Sequence, residues 1–243
     1  MRRAIGFELC VESIESARIG EAGGADRVEL CDQLAIGGVT SGPKEIAEAV
    51  RTLKIPVHVL IRPRGGDFVY SDAEFGQMRA ETLATKAAGA AGVATGVLLP
   101  DGRVDIARTR ELVQLASPMK ITFHRAFDEL VDMEEGLEDV IRTGADCLLT
   151  SGGKANVMEG AQQIAALQRQ ANGRLTIMPG GGLTLANMVE VARATGVSYL
   201  HGSLLRKSGP QQSTLPGDQS QTAKSMGTVV LEDVQQAVRL LRQ

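Results

Sequence analysis

The sequence predicts one α/β domain closed as a (β/α)8 TIM barrel, and three observations carry that prediction. Short β-rich runs alternate with longer stretches of helical periodicity, the pattern of right-handed crossovers onto a parallel sheet. Eight such runs fit along the 243 residues, a count and length that favour a closed barrel over an open doubly wound sheet. A lead-in also recurs, Gly24-Ala25-Asp26-Arg27-Val28 and again Gly144-Ala145-Asp146-Cys147-Leu148, in which a glycine ends a helix immediately before a strand. No Gly-x-Gly-x-x-Gly follows the first strand, which weakens the rival open sheet in its dinucleotide-binding form.

Taken in order, strands are expected at 5–11, 27–31, 57–62, 92–98, 120–126, 147–151, 175–178 and 199–201. Helices are expected at 72–88, 105–116, 133–143, 157–171 and 185–194, with a last one at 231–241. Looser copies of the lead-in, starting at Gly89 and Gly196, precede strands four and eight as the clear copies precede strands two and six. Strands three, five and seven are entered differently, through Ile55-Pro56, Ser117-Pro118 and Gly173-Arg174. The core barrel spans 1–206 on this reading. Residues 207–226, rich in Gln, Ser, Gly and Pro, read as a flexible loop, and 227–243 return the final helix to the same domain.

Composition narrows the function. Aromatics make up 3% of residues and tryptophan is absent, so the core rests on Val, Ile, Leu and Ala. A net charge of -3 with interspersed signs gives no footprint for nucleic acid or an anionic membrane. The weakly polar run 87–100 is too short to cross a bilayer. The start does not read as a secretory leader, and three cysteines do not make a disulfide framework, so a reducing cytoplasm is the expected compartment.

Alternation along the strands selects the candidate site residues. Glu8 and Cys10 share one face of strand one; Glu29 and Cys31 repeat that arrangement on strand two. With the apolar face against the helices, these point into the barrel, and the two cysteines fall at the carboxyl rim in register on strands roughly 4.8 Å apart. Thiols so placed can share one soft monovalent cation, approach disulfide geometry, or act as small buried apolar groups; zinc lacks its usual ligand spacing. Arg62 follows the inward His58 and Leu60 of strand three, where it is expected to pair with Glu8 and Glu29 or to grip a ligand anion. His58 lies deeper and reads as structural. His124 ends strand five and His201 ends strand eight, followed by Ser203. Arg64, with the amides of Ser151, Gly152, Gly180, Gly181 and Gly182, completes a candidate anion-binding rim, and Thr184 is placed to cap the next helix.

Several of these segments resemble the CutC family: Phe7-Glu8-Leu9-Cys10-Val11, Gly24 through Cys31, Ile61-Arg62-Pro63-Arg64-Gly65-Gly66-Asp67, Thr122-Phe123-His124-Arg125-Ala126-Phe127-Asp128 and Met178-Pro179-Gly180-Gly181-Gly182. The resemblance covers about residues 5–206. It implies a cytoplasmic homo-oligomeric barrel, a dimer or tetramer, linked to copper tolerance, with copper(I) bound at Cys10 and Cys31. Two other readings stand beside it. One is an enzyme acting on a small anionic metabolite, with Glu8 or Glu29 moving a proton and His124 as acid or electrophile. The other is a non-catalytic scaffold.

Overall fold

The computed structural model describes residues 5–207 and 227–243. Eight strands alternate with helices: β1 (Gly6–Val11), α1 (Ile14–Gly23), β2 (Arg27–Leu30), α2 (Pro43–Thr52), β3 (Val57–Leu60), α3 (Asp72–Ala87), β4 (Gly92–Thr95) and α4 (Ile106–Ala116). They continue as β5 (Lys120–Phe123), α5 (Met133–Thr143), β6 (Cys147–Thr150), α6 (Ala161–Ala171), β7 (Thr176–Pro179), α7 (Met188–Thr195) and β8 (Tyr199–Gly202), and close with α8 (Leu231–Leu241). All ladders between these strands are parallel, in the order β7-β6-β5-β4-β3-β2-β1-β8. β7 and β8 lie side by side at the remaining seam, so the sheet curls into a nearly closed barrel. This is the (β/α)8 architecture expected from the strand count.

The alternation holds strand by strand. Phe7, Leu9, Val28, Leu30, Val59, Ile61, Ile121, Phe123, Leu148 and Leu200 face outward and join the helices in one apolar layer. The lumen holds the other parity, and its base is filled by large rings set against residues without side chains. A Cβ on Gly92 would stand 2.5 Å from the His58 ring, so glycine there is what admits the imidazole.

The recurring lead-in has two structural duties. Gly24, Gly89, Gly144 and Gly196 all adopt the left-handed conformation, φ +71° to +89°, that ends a helix. The aspartate serves the preceding strand: Asp26 accepts from the Phe7 amide at 2.8 Å, and Asp146 from the Ile121 amide at 2.9 Å. Gly144 packs loosely, with the nearest atom 3.5 Å from a built Cβ, so conformation dominates there. Gly144→Ala is expected to destabilise by about 1–2 kcal/mol in urea unfolding, the cost of a left-handed backbone carrying a side chain.

Some expected boundaries move. Strand five stops at Phe123, because the His124 ring accepts from the Ala126 amide and opens a short 3-10 helix, Arg125–Glu129. α6 begins at Ala161 rather than 157, because the Asn156 carboxamide holds the Met158 and Glu159 amides in a turn. α7 begins at Met188, and Thr184 is not its cap; the Thr184 amide instead donates to Asn187 Oδ1. Lys207, assigned to the flexible loop, sits in a two-residue strand β9 (Arg206–Lys207) paired with β10 (Gly227–Thr228). The rest of that expected loop lies outside the described residues. No helix among the described residues is long and apolar enough to cross a membrane.

Candidate functional site

A cavity of about 290 Å³ opens at the carboxyl ends of the strands, on the lumen side. Its floor is an ion cluster. Glu8, fully buried, accepts from Arg27 Nε and lies 2.7 Å from His201 Nδ1. Burial alone would raise the Glu8 carboxyl, but Arg27 and then His201 outweigh it and hold the group at about 2. Arg27 also stacks over the Tyr199 ring at 4.4 Å. His58 stands 3.8 Å from Glu8, yet burial pushes its imidazole down to about 4, so it fills space as a neutral ring.

The β1–β2 wall carries sulfur and carboxylate. Cys10 stands opposite Glu29 in the ladder and Glu8 opposite Arg27, so Cys10 and Cys31 are offset by two residues rather than level. The stagger of neighbouring strands in a closed barrel accounts for that slip. The sulfurs still approach to 3.7 Å, because Cys31 lies one residue past the end of β2 and leans over Cys10. Cys10 Sγ donates to Glu29 Oε1 at 3.6 Å, and Cys31 Sγ to the Val11 carbonyl at 3.6 Å. Both cysteines are free and buried. The bond with Cys31, burial and the nearby carboxylates push the Cys10 thiol well up. Burial likewise raises the Glu29 carboxyl, against the pull of His201. Burial opposes charging of His201, but Glu29 and Glu8 prevail and its imidazole is raised. One ligand atom each from Cys10, Glu29 and His201 lies within 4.8 Å of the others.

The opposite wall is cationic and aromatic. Arg62 does not pair with Glu8 or Glu29, contrary to expectation; the register gives that role to Arg27. Its Nη1 donates to the carbonyls of Gly38 at 2.8 Å and Ile36 at 3.3 Å, and its Nη2 to Gly66 at 2.6 Å. Phe68 covers the guanidinium at 4.8 Å and sits equally close to the His124 ring, at 4.8 Å. Burial, then the Arg62 charge, push His124 down to about 3. Its Nδ1 accepts from the Ala126 amide, so the proton of the neutral ring resides on Nε2.

Of the expected site residues, Cys10, Glu29, Cys31, Arg62, His124, Gly181, Gly182, His201 and Ser203 line this one cavity. Glu8 lies beneath it, locked between cations, and is not placed to move a proton. Arg64 turns outward to Glu74 at 2.5 Å and Asp67 at 3.0 Å, away from the cavity. Ser151 and Gly152 are occupied by Asp128 and by the Thr150 hydroxyl, and the Gly180 amide by the Thr150 carbonyl. Those four therefore leave the anion-binding rim. The sequence reading missed Arg27, Phe68 and Leu183. Arg27 has the same parity as Glu29, so carrying the alternation one step earlier would have found it.

Fold and site together define a TIM barrel whose mouth sets two thiols, a carboxylate and a histidine against a buried arginine. The family model of CutC matches residues 5–206, and the chain belongs to the CutC family. It is 47% identical over 197 residues to a family protein CutC of Chromobacterium violaceum, covering 81% of this chain and 80% of that one. It is 42% identical over 197 residues to the human copper homeostasis protein cutC homolog, covering 81% and 72%. The crystal structure of a putative copper homeostasis protein CutC from Streptococcus agalactiae superposes with TM-score 0.78 at 33% identity, covering 82% of this chain and 98% of that one. A phosphoribosylanthranilate isomerase from Thermotoga maritima shares the barrel at TM-score 0.59 and 12% identity, over 98% of each chain, a likeness of fold alone.

Proposed function

We propose that this chain serves copper homeostasis by holding Cu(I) as cargo at the Cys10–Cys31 pair. The observation that carries the reading is the 3.7 Å approach of two free thiols at the lip of a cavity. Sulfur ligands select soft cations, and two thiolates suit a monovalent one. Glu29 and His201 stand within reach of Cys10 as supplementary donors or as charge balance. A bis-thiolate Cu(I) centre carries one net negative charge, and the raised His201 imidazole offsets it in the buried setting. Because the Cys10 thiol is pushed up, uptake releases a proton and tightens as pH rises. The human and streptococcal relatives, both named as copper homeostasis proteins, point the same way.

Titration with Cu(I) against a competing chelator tests the reading. Cys10→Ser and Cys31→Ser should each weaken binding by more than the roughly 10–100-fold that losing an outer partner costs. Unchanged affinity in both variants would remove the proposal.

A further inference from the structure

The cavity has a second wall that the copper reading leaves unused, and its chemistry is that of an anion site. Arg62 is 5% exposed, and the acceptors of its guanidinium are all neutral carbonyls. No carboxylate among the described residues lies within salt-bridge distance of it, and its buried Nε has no acceptor. A cation in that setting calls for a counter-charge. His124 is 4% exposed, and its Nε2, which carries the ring proton, also lacks an acceptor. Both side chains line the cavity, and Phe68 packs between them.

Facing them is a turn built to present amides. Gly181 and Gly182 take successive left-handed conformations, φ +106° and +71°. The amides of Gly181, Gly182 and Leu183 donate to no acceptor among the described residues, and all three residues line the cavity. Successive amides so arranged form a concave nest for an anion. Gly182 is held there by packing, since an added Cβ would meet Asn156 Cβ at 2.7 Å. Ser203, following β8, brings a hydroxyl to the same cavity. Of the carboxylates nearby, Glu8 is committed to Arg27 and His201, Glu29 to Cys10 and Asp128 to Arg125, while Glu129, exposed in the turn after β5, acts on Arg62 only from beyond salt-bridge distance.

We propose that Arg62, His124 Nε2 and the amides of residues 181–183 bind a small oxyanion, specifically the phosphate group of a small phosphorylated metabolite. Phosphate is favoured over carboxylate because the nest and Ser203 follow the seventh and eighth strands, where barrels of this architecture cradle phosphate. The cavity volume, about 290 Å³, limits the ligand to a small one. The site shares the cavity with the thiol pair but uses none of its sulfur ligands, so phosphate binding by the metal-free chain is measured apart from the copper reading.

Isothermal titration of the full chain with inorganic phosphate tests it, with sulfate and malonate as rivals and chloride to hold ionic strength. Phosphate should bind saturably and raise the melting temperature. Arg62→Gln should weaken it roughly ten- to a hundredfold, the value of a charged hydrogen bond. Because Arg62 also ties three carbonyls, Ser203→Asp is the second variant: it sets a carboxylate among the same donors and should abolish binding in a folded protein. Arg18→Ala, in an exposed ion pair with Glu48 outside the cavity, should leave the phosphate affinity unchanged. Absence of saturable binding, wild-type affinity in folded Ser203→Asp, or preference for malonate over phosphate would each overturn the proposal.

Discussion

Replacing Arg27 by leucine is expected to lower the free energy of unfolding at pH 7 by about 3–5 kcal/mol, the range for stranding one partner of a buried ion pair. Glu8 is fully buried, and Arg27 is the first of the charges that keep it ionised. With leucine there, only two imidazoles, His201 at 2.7 Å and the neutral His58 at 3.8 Å, face the carboxylate, and the cation over Tyr199 is lost as well. Urea unfolding followed by circular dichroism measures the loss. The double variant Glu8→Gln with Arg27→Leu should recover much of it, because the stranded charge is gone, and the non-additivity reports the coupling. A single-variant loss below about 1 kcal/mol, the worth of a surface pair, would mean that His201 alone suffices.

Parity along a strand is a local property, so the inward set Glu8, Cys10, Glu29, Cys31, Arg62 and His124 follows from residues two apart. Five of these six line one cavity. Pairing between strands depends on barrel stagger, which no single strand encodes. That is why Arg27, rather than Arg62, was found beside Glu8, and why the cysteines are offset. Depth along the barrel is equally non-local, and it separates Glu8 beneath the cavity from Glu29 at its wall. The helices α1 and α2 were not placed in advance, and α1 shows why. Its buried residues are Ala17, Gly20 and Gly23, so close packing replaces the apolar stripe that periodicity detects. A Cβ on Gly20 would stand 2.8 Å from Leu9 Cδ2, so the helix lies against β1 through its glycine. Arg64 shows the limit of motif reasoning. It neighbours Arg62 in a distinctive run of sequence, yet it pins the loop through Asp67 and Glu74 instead of entering the site.

Acidification makes the second large prediction: between pH 6 and 4.5, stability should fall by roughly 1.4–2.7 kcal/mol per pH unit. Burial holds His58 at about 4 and His124 at about 3 in the folded state. In the unfolded chain both take up protons as pH drops through about 6.5, so the unfolded state binds up to two more protons and gains. For a base with a depressed folded value, stability is present above the unfolded value and is lost as pH falls. His201 has the opposite sign. Its raised imidazole contributes stability that is complete below about 6.5 and fades as pH climbs through its folded value, so it does not soften the acid slope. Glu29, raised by burial, stays protonated longer when folded and offsets part of that loss. Below that, Glu8 adds a further loss as pH approaches its folded value of about 2. Urea midpoints across a pH series test the account. His124→Gln should lower the slope by about 1.4 kcal/mol per unit, one proton's share, and a profile flat from pH 6.5 to 4.5 is incompatible with two neutral histidines in the lumen.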